Sequence, residues 1–516
     1  MKTAFTEKYK SEIQGKLSCY DRVVIKGTLH SVSHAQAMSN LLYRRNTLLK
    51  DFPKFIKPYR DKVKTHAEYL AKTHGIKIEF IRKSGAVRKE DLVSKHMSNR
   101  QLSDTYVGLV CILSCMERCQ NYVYRYDKST GRSYLQMTSG KCLHYYYYFI
   151  DKDLGLCYLR VPTWCPYRLQ FYFNGHNWLA RQLTKVGISY EQLDNVFVHI
   201  SDYQAAQNIS NSFDVSHFHR LLDSYAHHYL PIARELCVAG YHWTIMQLEY
   251  ATDIVFKNPK TLQRLYDELL NKIMPIVQPD DVAKFLGRKY LHGRNNLELD
   301  TSCKQITLQI KGKRHHMRRI KHRMGSCSVK MYDKFNRVLR IETTTNNTQE
   351  FRHYRSVEQR DGTKTSKVAP VKKSIYSLKP LQQILENCNK RYLNYIGAFD
   401  APNIGKKRLQ KVTRKSKVNN RNYRGFNFFD KEDEQILKAI SNGAFTINGF
   451  RNKQLKTSLK NKSTAQISRI LKRLKVKGLI RKIKKSYRYM VTTLGQKIIA
   501  TALNFKELVC PHQLNY

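Results

Sequence analysis

The chain has 516 residues, 41% of them hydrophobic, which is enough for two to four domains with real cores and excludes a disordered protein. Against 92 Lys and Arg stand only 40 Asp and Glu, a formal charge of +52, and a folded protein tolerates so large an excess chiefly for a polyanionic partner: nucleic acid, DNA first and RNA as the alternative. No apolar run is long enough to span a bilayer and the N-terminus lacks an apolar signal core, so a membrane is excluded and a cytoplasmic, nucleoid-associated protein is expected.

The pattern predicts an α/β (α+β) multidomain body with an antiparallel β-hairpin block, then a C-terminal winged helix-turn-helix domain. Residues 1–210 read as mixed α/β. The strand "DRVVIKGTL" is followed by helices over "SHAQAMSNLLYRR" and "DKVKTHAEYLAKTHG", then by strands "IKIEFI" and "YVGLVCILSC". "LHYYYYFIDKDLGLCYLRVPTW" reads as an antiparallel pair turning at Asp151 to Gly155, and "FNGHNWLARQLTKVG" as a helix ended by Gly187. "NVFVHI" is a buried strand with Asp202 just past its end. Residues 211–300 read as helical, including "YHWTIMQLEYATDIVF", and 301–400 as a basic β-hairpin block. Residues 401–424 form a basic linker, and no internal repeat is visible.

From 425 to 505 the order is three helices, a basic ribbon "IRKIKKSYRYMVTT" and a closing helix "LGQKIIATAL". Ser463 or Thr464 caps the third helix, with Ile467, Ile470, Leu471 and Leu474 inward. Gln466, Ser468, Arg469, Lys472 and Arg473 then face outward, and Lys482, Lys484, Lys485 and Arg488 lie on the ribbon. This order resembles the winged helix-turn-helix of bacterial regulators such as the MarR family. The resemblance implies a recognition helix in the major groove and a wing on phosphates.

Three side-chain sets carry candidate chemistry. The first is the hairpin "CSVKMYDKFNRVLRIETTTNN", whose arms both alternate apolar and polar. Placing both apolar sets on one face requires an odd loop, taken as Lys334-Phe335-Asn336 with Asp333 opposite Arg337, so that Lys330, Tyr332, Arg340 and Glu342 share the other face. Tyr332 offers a nucleophilic hydroxyl, Arg340 and Lys330 could hold a phosphate, and Glu342 could bind magnesium or manganese or orient a proton. Upstream, "KGKRHHMRRIKHR" packs seven Lys or Arg and three His into thirteen residues. This strip, with Arg314, Arg318, Arg319, Lys321 and Arg323, is suited to phosphates. The alternative is a polar outer sheet face without catalysis.

"VKMYDK" followed by "LRIE" resembles the hairpin of plasmid rolling-circle replication initiators. That likeness implies Tyr332 as the nicking nucleophile, Lys334 as the matching lysine and Glu342 as the strand acid, with Asp333 where those initiators usually have Asn. More broadly, "YFNGHNWLARQL" and the hairpin are similar to a bacterial multidomain family, which implies organisation but no mechanism.

The second set is acidic: Asp21 begins a strand, Asp202 ends another, and Glu249 with Asp253 are four apart on one expected helix face. Their order resembles that of RNase H-like DDE-type transposases, which implies two divalent metal ions on such acids. Asp202 as a helix cap is the plain alternative. The third set is Cys115, Cys119, Cys142 and His144, a candidate structural zinc site, unless these are buried small residues. Trp164, Tyr167, Phe171, Tyr172 and Phe173 near Arg168 are either core or a stacking platform, and His176 reads as an oriented structural histidine. A nonenzymatic transcription regulator or RNA-binding protein remains an alternative to a DNA nicking or strand-transfer enzyme of a mobile or replicating element.

Overall fold

The computed structural model describes residues 3–499, apart from 83–87, 104, 278, 289–298, 311–312, 399–409, 429, 441–448, 460, 484–485 and 497. In chain order its strands are β1 (Ile13–Leu29), β2 (Glu79–Ile81), β3 (Gly108–Asp127), β4 (Arg132–Asp151), β5 (Gly155–Pro162), β6 (Leu169–Asn174), β7 (Tyr190–Leu193) and β8 (Val196–Ile200). They continue with β9 (Tyr241–Phe256), β10 (Leu299–Ile310), β11 (Lys313–Met324), β12 (Cys327–Lys334) and β13 (Val338–Thr345). All except the β7–β8 pair join one eleven-stranded sheet, in the order β10-β11-β12-β13-β9-β1-β6-β5-β4-β3-β2. The segments 1–210, 211–300 and 301–400 therefore all contribute to the same sheet.

That strand order contains a duplication that the sequence does not reveal. β1 is followed by helices Ala35–Arg44, Phe52–Thr73 and Lys89–Asn99, then by the meander β3 to β6, whose last strand returns to pair with β1. β9 is followed by helices Pro259–Ile276 and Pro279–Phe285, then by the meander β10 to β13, whose last strand returns to pair with β9. The two halves meet where β1 and β9 run antiparallel, with Tyr20 opposite Tyr250 and their rings edge to face at 5.4 Å.

"YHWTIMQLEYATDIVF" is strand β9, not the helix expected from the sequence. Spacing by four places two residues on one side of a helix and also on one side of a strand, so Glu249 and Asp253 fit both patterns. The β-branched and aromatic residues that fill this segment favour the strand.

One sheet face carries the main core: Val23 and Ile25, Phe171 and Phe173, Tyr250 and Ile254, Met331 and Ile341. Helices including Leu378–Gly397 pack over it. On the opposite face, helices Gly175–Lys185 and Tyr203–Asn211 cover Leu17 and Cys19 of β1, while Val196 and Val198 of β8 meet Val255 and Val338. His176 of the first of these helices and Asn195 beside β8 reach over the middle of the sheet, where the buried polar groups of β1, β9, β12 and β13 are gathered. The β4–β5 turn and the helix ended by Gly187, at φ +73°, agree with the sequence expectation.

A second core lies in the C-terminal segment. Helices Lys431–Ile440, Asn452–Ser458 and Thr464–Val476 enclose Ile436, Leu437, Leu455, Ile467, Leu471 and Leu474, and Ile480–Lys482 pairs with Tyr489–Val491. Ser463 caps the third helix in a capping box with Gln466. Val412 and Phe426 belong to this core and Ser416–Val418 pairs with Arg421–Tyr423, so the described part of the expected linker is folded onto the module. The closing helix expected over "LGQKIIATAL" lies partly outside the described residues. Among the described residues, no helix is long and apolar enough to cross a membrane.

Candidate functional site

The β12–β13 hairpin turns through Phe335, Asn336 and Arg337, with Lys334 opposite Val338. The loop has three residues as expected, but the pairing is displaced from the one that set Asp333 against Arg337. Because the displacement is even, every side chain keeps its face. The left-handed residues are Phe335 at φ +57° and Asn336 at φ +56°. Tyr332 now lies directly opposite Arg340, and Lys330 directly opposite Glu342.

Next along the sheet, Arg340 pairs with Asp253 of β9, which in turn faces Leu17 of β1. The guanidinium is fully buried. It donates from Nε to Asp253 Oδ1 at 2.6 Å, from Nη2 to Asp253 Oδ2 at 2.7 Å, and from Nη1 to Asp21 Oδ2 at 3.1 Å. Its Nη2 also lies 2.9 Å from His176 Nε2 and 2.5 Å from the Asn195 carbonyl oxygen. Asp21 Oδ1 accepts from the amides of Asn174 at 3.0 Å and Asn195 at 2.7 Å. His176 Nδ1 is 3.3 Å from Asp21, within range of charge attraction but not aligned as a hydrogen bond. Burial alone would raise Asp21, but Arg340, His176 and Lys334 hold it well below the usual carboxylate range. Burial likewise opposes ionisation of Asp253, and Arg340 and His176 outweigh it.

Asp21 also belongs to a second group. Carboxylate oxygens of Asp21, Glu249 and Glu342, from three adjacent strands, lie within 4.8 Å of one another, the one such set of acid, Cys or His ligands found among the described residues. Lys330 Nζ donates to Glu342 at 2.5 Å and to Glu249 at 2.9 Å. Tyr332 Oη donates to Glu342 at 3.5 Å. Burial, then the charge of Glu249, pushes Glu342 up to about 7 against the pull of Lys330. Burial also raises the Tyr332 phenol well above its ordinary value. Asp21 and Glu249 line a cleft of about 780 Å³ together with Arg22, Arg88, Tyr172 and Asn195. Within it the Arg22 guanidinium sits 4.9 Å over the Tyr172 ring.

The three carboxylates offer the hard oxygen donors that a divalent cation such as magnesium or manganese takes, and the Lys330 ammonium, bonded to two of them, is what such a cation would displace. The polar hairpin residues Tyr332, Glu342, Arg340 and Lys330 and the acids Asp21, Glu249 and Asp253 thus meet in one place. Asp202 does not join them: its carboxylate accepts from the backbone amides of Gln204 and Ala205, both at 2.9 Å, as the cap of helix Tyr203–Asn211. A transposase-like set of Asp21, Asp202 and Glu249 is therefore not assembled, and Glu249 comes from a strand.

The cysteine set falls on one face of the β3–β4 pair, with Cys115 opposite His144 and Glu117 opposite Cys142. Its four ligand atoms do not converge as the acids do. Cys115 Sγ turns to Glu117 Oε1 at 3.2 Å, and Cys142 Sγ is 3.8 Å from His144 Nδ1. Burial, with the Arg160 charge, lowers His144 to about 4.

The basic strip divides between the two faces of β11. Arg319, Lys321 and Arg323 pair with Tyr332, Lys330 and Ser328 on the polar face, whereas Arg318 lies on the other and forms an ion pair with Asp267 of helix Pro259–Ile276. Arg314 is in β11, but its side chain lies outside the described residues, as do Lys484 and Lys485. In the C-terminal module Arg469, Lys472 and Lys482 are exposed and Arg488 is half-buried. Arg473 is not outward: it pairs with Asp433 at 2.7 Å and lies 3.8 Å over the Phe426 ring. Ser468 accepts from Asn452 at 2.9 Å.

Sequence reasoning did not place Arg22, Asn174 and Asn195 in a site. The available signal was the run of amides around "FNGHN" and "DN", which a strand-end position makes able to hold a carboxylate. Comparison with protein-family models, with curated proteins and with solved structures gives no match.

Proposed function

We propose that this chain is a nucleic-acid-binding enzyme of a mobile or replicating element that breaks or transfers phosphodiester bonds with a divalent cation held by Asp21, Glu249 and Glu342. The observation that supports this is the convergence of those three carboxylates at the edge of a polar cleft in a protein of charge +52. Asp21, Glu249 and Glu342 would hold the divalent cation, which would supply Lewis-acid polarisation of a phosphoryl oxygen. Arg22, stacked on Tyr172, is the cation of that cleft that would meet a neighbouring phosphate, whereas Arg88 is already shared among Glu90, Asp91 and Asp194. Arg340 and His176 fix Asp21 and Asp253 in their ionised forms, and Lys330 offsets the charge of Glu249 and Glu342 until the cation arrives.

The C-terminal helices and ribbon follow the order of a MarR-like winged helix, with Gln466, Arg469 and Lys472 on the exposed side of the third helix. In this proposal that module brings the body to duplex DNA.

A second version makes Tyr332 the nucleophile, favoured by its hydrogen bond to Glu342. It requires the phenol to lose its proton in a site where burial opposes ionisation, so a water or hydroxyl nucleophile is preferred. Incubation of the protein with supercoiled and single-stranded DNA plus magnesium or manganese separates these. Cleavage abolished by Asp21→Asn and Glu249→Gln but kept by Tyr332→Phe supports the first version, and loss with Tyr332→Phe supports the second. No cleavage of either DNA, with tight duplex binding, would leave the nonenzymatic regulator.

A further inference from the structure

Away from the acids, two pockets adjoin, walled mainly by the first half of the sheet with Met246 of β9, and share Cys119 and Trp164 in their walls. One, of about 180 Å³, is lined by Lys26, Arg118, Arg160 and Arg168. The other, of about 400 Å³, is lined by Arg60, Lys64 and Lys141. Among the described residues, neither wall contains a carboxylate. Arg160 is neutralised by Glu117 at 2.8 Å, and Arg60 by Asp61 at 2.9 Å, both from outside the walls. Arg118 and Lys141 stand against like charge, directly opposite each other across β3 and β4. Burial, then the charges of Arg168 and Lys373, lowers Lys26. Arg168 gives one guanidinium nitrogen to the Ser33 carbonyl at 3.0 Å, and its buried Nε has no partner among the described residues.

Like charges gathered without acids are unfavourable unless an anion joins them. Between the two pockets stands the half-buried Trp164 ring, fixed by its Nε1–H to Asn121 Oδ1 at 2.7 Å. Cations flanking an oriented aromatic ring are the chemistry of a single-stranded nucleic acid, whose phosphates and base faces alternate. Tyr167, Phe171 and Phe173, by contrast, are buried in the core and unable to stack a base.

We propose that the two pockets form a groove for a single strand of nucleic acid, with a base against Trp164 and backbone phosphates on Lys26, Arg118, Arg168 and Lys141. The proposal rests on the reading of the chain as a nucleic-acid-binding protein, but not on the acid trio. Lys26 is five residues beyond Asp21 on β1, at most about 16 Å at 3.3 Å per residue and less across the bulges between them, so one strand could occupy the groove and reach the acids.

The test uses the full chain, a fluorescein-labelled oligothymidine strand and EDTA, so that binding is read without cleavage. Arg118 and Lys141 are exposed, so Arg118→Gln and Lys141→Gln leave the core intact. Each is expected to reduce the slope of log affinity against log salt by about 0.7, the value for one phosphate contact to a single strand. Tryptophan emission should fall on binding in the wild type and not in Trp164→Phe, because Trp243 is buried in the core and Trp178 packs against it. Unchanged slopes in both Gln variants, or an emission decrease that persists in Trp164→Phe, overturns the groove while leaving the enzymatic proposal intact. Absence of any strand binding by the wild type overturns both. Loss of cleavage chemistry with slopes and emission as expected removes the enzymatic proposal alone.

Discussion

Arg340 has no accessible surface and carries its charge between Asp21, Asp253 and His176. Removing one member of such a group leaves the others charged and buried, so Arg340→Met should cost roughly 3–5 kcal/mol, read as a shift in the guanidinium unfolding midpoint. Glu117 offers a pH-dependent counterpart. Burial opposes its ionisation, but the Arg160 charge, with hydrogen bonds from Cys115, Tyr146 and Arg160, holds its carboxyl down at about 2 from an ordinary 4.5. A depressed carboxylate contributes stability that is full above the ordinary value and lost as the pH falls through the folded one. The wild type should therefore lose on the order of 3 kcal/mol between about pH 4.5 and about pH 2 through this group, at 1.36 kcal/mol for each unit. Glu117→Gln should flatten that part of the acid-unfolding curve.

Elements explain why particular acids reach the site. β1 and β9 are long strands that place Asp21, Glu249 and Asp253 at the centre of the sheet, whereas Asp202 sits on the start of a helix. Asp202→Ala should remove a cap worth about 1 kcal/mol, lowering the melting temperature, and leave DNA cleavage unchanged. Equal loss of cleavage and stability in that variant would return Asp202 to the site. The hairpin makes a related point. Its alternation required an odd loop, so Tyr332, Lys330, Arg340 and Glu342 were bound to share a face, but alternation is blind to a displacement by two residues. Which side chains stand directly opposite was decided by the turn at Phe335 and Asn336, both left-handed.

Across the whole molecule, a charge of +52 makes the folded chain repel itself. Salt screens that repulsion, and a polyanion binds the folded state by mass action. The melting temperature of the full chain should therefore rise with potassium chloride and rise further with a nucleic acid strand at constant salt, measured by scanning calorimetry. A melting temperature indifferent to both would mean that the cations are already neutralised within the fold. The duplicated order of strand, helices and four-strand meander places the two halves on either side of β1 and β9. The acid trio is therefore central, and the two pockets beside Trp164 are walled mainly by the first half, with Met246 of β9 from the second.

By itself the sequence determined the polar and apolar faces of the hairpin, the cap and inward face of helix Thr464–Val476, the β4–β5 turn and the basic excess. Each is a local pattern whose period or turn chemistry has one good solution. Only the tertiary structure decided that Glu249 and Asp253 lie on a strand, that Asp21 meets Glu342 across more than three hundred residues of chain, that Asp202 is a cap, and that Arg473 turns inward to Asp433. Those outcomes depend on which strands become neighbours, and strand order is set by the summed burial of whole faces rather than by any short stretch of residues.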